Sequence, residues 1–218
     1  MWGIGTVFFC HWITYFYAIK IGGASSCVLG MSTYGIQLML FGSFLLNYHL
    51  RPKNYLSLFI VLIGLSQLLP QFDFSNNFVK GLMLGLCSAS FYSLMPILHQ
   101  KANRHFKYEE RIFAQFFVAL IYFSLFIPKT HWSLQLKDWL GLLFLSILGT
   151  VVAHSLWAKV TSQLPTYISG IIYYAITPTA LILSHFLFGE VLSGRQVLGA
   201  GLIISAAIFN VWSLNVQK

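Results

Sequence analysis

The sequence predicts an all-α protein: a polytopic transmembrane helix bundle of about eight spans. Three observations carry that prediction. Of 218 residues, 57% are hydrophobic and only 8% charged, whereas a soluble domain runs about 45–50% apolar and about 25% charged. The apolar residues gather into runs close to the ~20 residues a membrane-crossing helix needs. These runs, such as Leu140-Gly141-Leu142-Leu143-Phe144-Leu145, lack the apolar–polar alternation of barrel strands. Backbone groups in hydrocarbon must then be satisfied within each helix. The 13 basic residues outnumber the 5 acidic ones and give a net charge of +8. They stand singly between apolar runs and form no stripe, which excludes a nucleic-acid-binding domain. An ordinary soluble globule and a disordered chain are excluded by the shortage of charge.

The spans follow in order. The first, 2–19, is rich in aromatics and closes at Lys20; no basic leader precedes it, so it reads as a retained span rather than a signal peptide. The second, 27–46, ends before Arg51 and Lys53, and the third is 54–70. The fourth, 80–98, begins at Lys80 and carries Gly81 and Gly85, a small-xxx-small pattern that permits close helix approach. That pattern reads as packing inside the bundle, with a homodimer face as the alternative. The fifth, 112–127, is the shortest and follows Arg111. The sixth, 139–157, lies between Asp138 and Lys159. The seventh, 167–188, holds Pro178 near its middle, and the eighth, 196–213, opens with Gly199 and Gly201. Trp132, Trp139, Trp157 and Trp212 sit near span ends as interfacial anchors. Cys10, Cys27 and Cys87 lie in or beside apolar runs, an odd set that suggests no disulfide framework.

Alternating the loops between two sides puts 8 basic residues with the N-terminus, the 47–53, 99–111 and 158–166 loops and Lys218, against 5 on the other side. The positive-inside rule then places both termini in the cytoplasm, in a cytoplasmic (inner) membrane. The 99–111 loop, with Lys101, Arg104, Lys107 and Arg111, carries most of the bias and invites anionic lipid heads.

Two stretches resemble each other. Tyr17-Ala18-Ile19-Lys20 ends the first span and Trp157-Ala158-Lys159 ends the sixth; each is followed by a small-residue turn, a span, a short polar loop and another span. Copies separated by an odd number of spans insert in opposite directions, an arrangement common in secondary transporters. Ile176-Thr177-Pro178-Thr179-Ala180, then Phe188-Gly189-Glu190, then Gln196-Val197-Leu198-Gly199-Ala200-Gly201 resembles the close of an EamA-type repeat of the drug/metabolite transporter superfamily. The resemblance covers a second repeat over 80–213 and the last three spans of an incomplete first repeat over 1–70. It implies a ten-span design of five plus five, of which this chain offers three plus five, so that the two opening helices are expected to lie upstream of Met1 or to have been lost. It also implies a transporter, in the export direction, of small organic metabolites such as amino acids or drugs.

Candidate substrate-binding residues are the polar and aromatic ones inside spans. Pro178 releases the carbonyl of Tyr174 and kinks its helix, and Tyr174, Pro178, Leu181 and His185 share a face; Thr177 adjoins them. His154 shares a face with Ser146, Thr150 and Trp157, and His11 with Thr14, Tyr15 and Ala18. Tyr34 and Gln37 are the first-repeat counterparts of the Tyr174 region; a glutamine such as Gln37 more often serves as interhelical glue than binds substrate. Intramembrane ionisable residues are functional candidates by default, against the alternative of a neutral imidazole bonded to a neighbouring helix. The binding set is therefore His11, Tyr15, Tyr34, Gln37, His154, Tyr174, Thr177 and His185. All five carboxylates lie in loops or at span boundaries, so any proton coupling falls to His11, His154, His185 or the boundary Glu190. Glu190 also suits an ion pair with Arg195 or a cap on the last helix.

No His-Glu-x-x-His, Gly-x-Ser-x-Gly, P-loop or Cys-x-x-Cys occurs, and no cofactor or metal motif. The reading is therefore alternating access around a midplane pocket, with a small-molecule substrate and membrane lipids as partners. Its alternatives are an inactive remnant of such a transporter and a membrane-embedded enzyme using His and Tyr on a lipid.

Overall fold

The computed structural model describes residues 1–47, 49–67, 76–125, 134–176, 179, 182, 186 and 193–215. Among these, every regular element is helical. They are α1 (Trp2–Met31), α2 (Tyr34–Leu46), α3 (Pro52–Ser66), α4 (Asn77–Ala102), α5 (Tyr108–Leu125), α6 (Leu136–Phe144), a π-helix (Leu145–Val152), α7 (Ala153–Thr161), α8 (Thr166–Tyr173) and α9 (Gly194–Asn215).

Among the described residues, four segments are long and apolar enough to cross a membrane: Trp2–Ala24, Ser26–Leu46, Asn77–Ala102 and Leu136–Thr161. They coincide with the first, second, fourth and sixth predicted spans, each longer than the apolar run suggested. The extra residues have a local cause. Asn76 accepts the N–H of Phe78 at 2.9 Å and starts α4 before Lys80. Three other helices begin with a polar side chain reaching back three residues to an N–H. Asn54 accepts from Arg51 at 2.9 Å, Glu110 from Lys107 at 2.7 Å and Asp138 from Gln135 at 2.9 Å. Residues that look like span boundaries thus lie inside the first turn, where they satisfy a donor the helix leaves open.

Gly23, whose φ of 84° and ψ of 166° interrupt α1, stands near the end of the first crossing. That region is open essentially to glycine alone, and a side chain there would add strain of about 1–3 kcal/mol. The cost would come from the backbone conformation itself, since no described atom lies within 4 Å of a Cβ built there.

α1 packs along α4 and also touches α5; α2 lies against α4 and α8; α3 pairs with α9. The main core joins Phe8, Ala18 and Cys27 of α1 to Tyr34 and Leu38 of α2 and to Ala89, Tyr92, Met95 and Ile97 of α4. A second cluster gathers Val61 and Leu65 of α3 with Tyr174, Ile203 and Ala206. The span Leu136–Thr161 contributes least: only 6% of its most apolar window is buried.

That span contains the π-helix, and the π-helix changes which residues align. Bonding from i to i+5 adds a residue to each turn, so an α-helical face drawn through it slips. Ser146, expected beside His154, is exposed and bonds back to Leu142, while His154 is buried.

Candidate functional site

Five helices direct aromatic and imidazole rings at one another in the middle of the bundle. α1 supplies Phe8, His11, Trp12 and Tyr15, spaced as one helical stripe. α4 supplies Ser88 and Tyr92, one turn apart. α7 supplies His154 and Trp157, α2 supplies Tyr34, and the last residue of α8 is Tyr173. Tyr92 is the hub: its ring centroid lies 4.5 Å from His11, 4.7 Å from Tyr34, 5.4 Å from His154 and 6.2 Å from Tyr173. His11 and His154 are 6.1 Å apart. Trp12 lies 5.5 Å from both His154 and Tyr15.

The polar atoms in this ring set are partly satisfied. The Ser88 hydroxyl lies 2.9 Å from the His11 carbonyl and 2.8 Å from His11 Nδ1. Both contacts hold when Ser88 donates to the carbonyl and Nδ1–H donates to Ser88 Oγ, which leaves Nε2 as the unprotonated nitrogen. The Trp157 indole N–H donates to the Tyr34 hydroxyl at 3.0 Å, and the rings of Tyr34 and Tyr173 approach to 4.0 Å. Trp157, expected as an interfacial anchor, is thereby part of the interior. Among the described residues, Trp12 Nε1 and His154 Nδ1 are buried and find no hydrogen-bond partner. Each such atom costs about 1–3 kcal/mol until something pairs with it.

One further acceptor comes from the backbone. Pro96 sits inside α4 and has no N–H, so the carbonyl of Tyr92, four residues back, is released from the helix ladder. The hub residue therefore carries a ring, a hydroxyl and a freed carbonyl together.

Four of the eight sequence candidates meet here: His11, Tyr15, Tyr34 and His154. Gln37 stands one turn along α2 from Tyr34, donating to Thr33 at 2.8 Å and to the Leu86 carbonyl at 3.3 Å, which ties α2 to α4. Tyr174 is buried in the separate cluster with Val61, Leu65 and Ile203, while its neighbour Tyr173 faces the ring set. Thr177 and His185 lie outside the described residues, as do Pro178 and Glu190. Sequence reasoning passed over Trp12, Ser88, Tyr92, Trp157 and Tyr173 as site residues. Two signals were readable: the Ser88–Tyr92 one-turn spacing inside an apolar run, and Pro96 four residues after Tyr92.

A slot too narrow for water leads from His154 and Trp157 past Met95 and Pro96 to His99 and Thr161. Just beyond it opens a cavity of about 750 Å³ between the ends of α2, α4 and α7 and the start of α8. Asn47, Gln100, Lys101, Asn103–His105 and Ser162–Thr166 line it. Three loops assigned to one side by their charge thus converge on one cavity.

The model of the EamA-like transporter family matches residues 79–212. A probable amino-acid metabolite efflux pump of Salmonella typhimurium is 23% identical over 229 residues, an alignment that covers 98% of this chain and 76% of the pump. A protein of the same description from Escherichia coli matches with the same identity and coverage. One solved crystal structure superposes with a TM-score of 0.76 at 21% identity, covering all of this chain and 77% of its own; it shares the fold.

Proposed function

Because the chain belongs to the EamA-like transporter family, we propose that it exports small amine-bearing metabolites, amino-acid derivatives foremost, across the cytoplasmic membrane. It is a multi-pass membrane protein. The observation that carries the substrate class is the Tyr92 hub, an aromatic box with a freed carbonyl. An ammonium group held against ring faces gains about 0.5–2 kcal/mol, and the carbonyl accepts one of its hydrogens. The unpaired indole N–H of Trp12 and the imidazole of His154 offer partners for the polar remainder of the solute. No fixed charge stands among the described residues of this ring set, so it does not carry the cost of an ion in hydrocarbon. The names of the two bacterial relatives support this class of cargo.

Alternating access accounts for the closed slot. With Trp157 bonded to Tyr34 and the Tyr34 ring tilted against Tyr173 at 4.0 Å, the ring set is closed off from the basic cavity. Separation of α7 from α4 would open it there. The positive-inside rule places that cavity in the cytoplasm, which makes it the loading side for an exporter.

The test is uptake of labelled amino acids, their esters and simple amines into inside-out vesicles holding the protein. At least one amine is expected to accumulate, with flux lowered about tenfold or more by His154→Ala, the cost of one lost polar contact near 1.4 kcal/mol. Leu143→Ala, on the exposed face, should leave flux unchanged. Gln163→Cys in the same vesicles should react with an impermeant maleimide from outside. If folded protein moves no solute in the panel, the transport reading fails; if Gln163→Cys reacts only in right-side-out vesicles, the orientation fails.

A further inference from the structure

We propose that the cavity at the basic end binds a phosphate-type anion, presented by the headgroup of an anionic phospholipid. The inference rests on the chain crossing a membrane, not on the identity of its cargo.

Charge comes first. Lys101, Arg104 and His105 line the cavity, and none of its described lining residues is a carboxylate. At the start of α5, Glu110 is engaged with the Lys107 N–H at 2.7 Å. Lys101 lies in the last turn of α4 and Arg104 in the turn that follows, and both line this one cavity. Arginine and lysine around a single phosphate form charge-assisted hydrogen bonds, the strong kind.

Depth comes second. Three crossings end at this cavity: Ser26–Leu46, Asn77–Ala102 and Leu136–Thr161. Helices that span the hydrocarbon end where headgroups begin, so the cations stand at the level of the lipid phosphates. Leu46 and Leu164 on the same wall offer an apolar shoulder to the glycerol and the first acyl carbons. A volume of about 750 Å³ suits a small organic group rather than a bare ion.

The walls are built in advance. The Gln100 side-chain amide donates to the carbonyls of Thr161 at 2.8 Å and Leu164 at 2.7 Å, pinning the α7–α8 loop to α4. Arg111 is buried and donates to the His99 carbonyl at 2.7 Å and to Asn103 Oδ1 at 2.8 Å. The end of α4 is thus satisfied by Arg111, and Lys101 and Arg104 are not required for it. α8 also points its N-terminal end into the cavity at Thr166, adding the positive end of a helix dipole.

The test compares the protein in phosphatidylcholine nanodiscs with and without about a fifth phosphatidylglycerol, read by native mass spectrometry of co-purifying lipid and by the thermal midpoint. A parallel arm adds millimolar inorganic phosphate to the phosphatidylcholine sample. Wild type should retain phosphatidylglycerol preferentially and unfold at a higher temperature with it. The double variant Lys101→Gln/Arg104→Gln should weaken retention on the order of thirtyfold, two surface cations' worth. Lys101→Arg/Arg104→Lys should retain it, which separates charge from folding. A midpoint shift with inorganic phosphate that competes with the lipid supports the anion site and assigns its source to solution. No preference for the anionic lipid together with no phosphate effect, or equal retention by the glutamine variant, overturns the proposal.

Discussion

Gly85→Leu will force α1 and α4 apart and abolish recovery of a monodisperse protein from mild detergent. A Cβ on Gly85 would meet Cys27 at 2.7 Å from its carbonyl oxygen and 3.1 Å from its Cα. Across the same contact, a Cβ on Gly30 would lie 2.5 Å from the Leu82 carbonyl and 2.6 Å from the Leu86 nitrogen. All of these obstacles are backbone, so no rotamer change relieves them. In a bilayer the lipid tails are as apolar as leucine, and close backbone packing is what holds such helices together. Overpacking by one methyl costs typically 1–3 kcal/mol, so Gly85→Ala should lower the thermal midpoint measurably and Gly85→Leu should do far more. The control is Gly141→Leu. Nothing lies within 4 Å of a Cβ there, and the protein should keep its midpoint. Equal tolerance of leucine at both glycines would refute the packing argument.

Tyr92→Ala will remove both the fold's central ring and any transport the ring set supports. The ring touches His11, Tyr34, His154 and Tyr173 and is 8% exposed. Truncating a buried aromatic to alanine costs about 3–5 kcal/mol, a large share of a typical stability of 5–15 kcal/mol. Tyr92→Phe separates the two consequences. It keeps the ring and the carbonyl released by Pro96, so the stability should stay within about 1 kcal/mol of wild type, the worth of one hydrogen bond, and the midpoint should move little. Vesicle flux with Tyr92→Phe should be retained if ring faces and carbonyl bind the solute. Full loss of flux with an unchanged midpoint would transfer the role to the hydroxyl.

The spans were legible because a lack of charge over about 20 residues has few other meanings. Their starts were less so, since Asn54, Glu110 and Asp138 mark a helix's first turn from inside it rather than its edge. The inward face of each helix was the least legible part. In water, polarity separates the buried face from the exposed one; in lipid both sides of a helix can be apolar. Leu142, Leu143 and Phe144 are as apolar as any core residue and stand exposed. What betrays the inner face is small or polar residues: Gly81 and Gly85 did mark it on α4, and Ser88, which was passed over, carries the same signal. Tyr173 and Tyr174 point to different clusters although adjacent, a choice of phase that hydropathy does not encode. His154 was found for its chemistry, but its expected companion Ser146 was not, because the intervening π-helix shifts the phase.

That π-helix gives the span a reserve of length. Removing one residue from an ordinary membrane helix turns everything beyond it by about 100° relative to what came before. Within Leu145–Val152 the widened turns already hold a surplus residue, and its loss would tighten the backbone to regular α pitch with His154 and Trp157 still facing inward. Shortening by a single residue, ruinous to registry elsewhere in the bundle, can be absorbed at this one stretch.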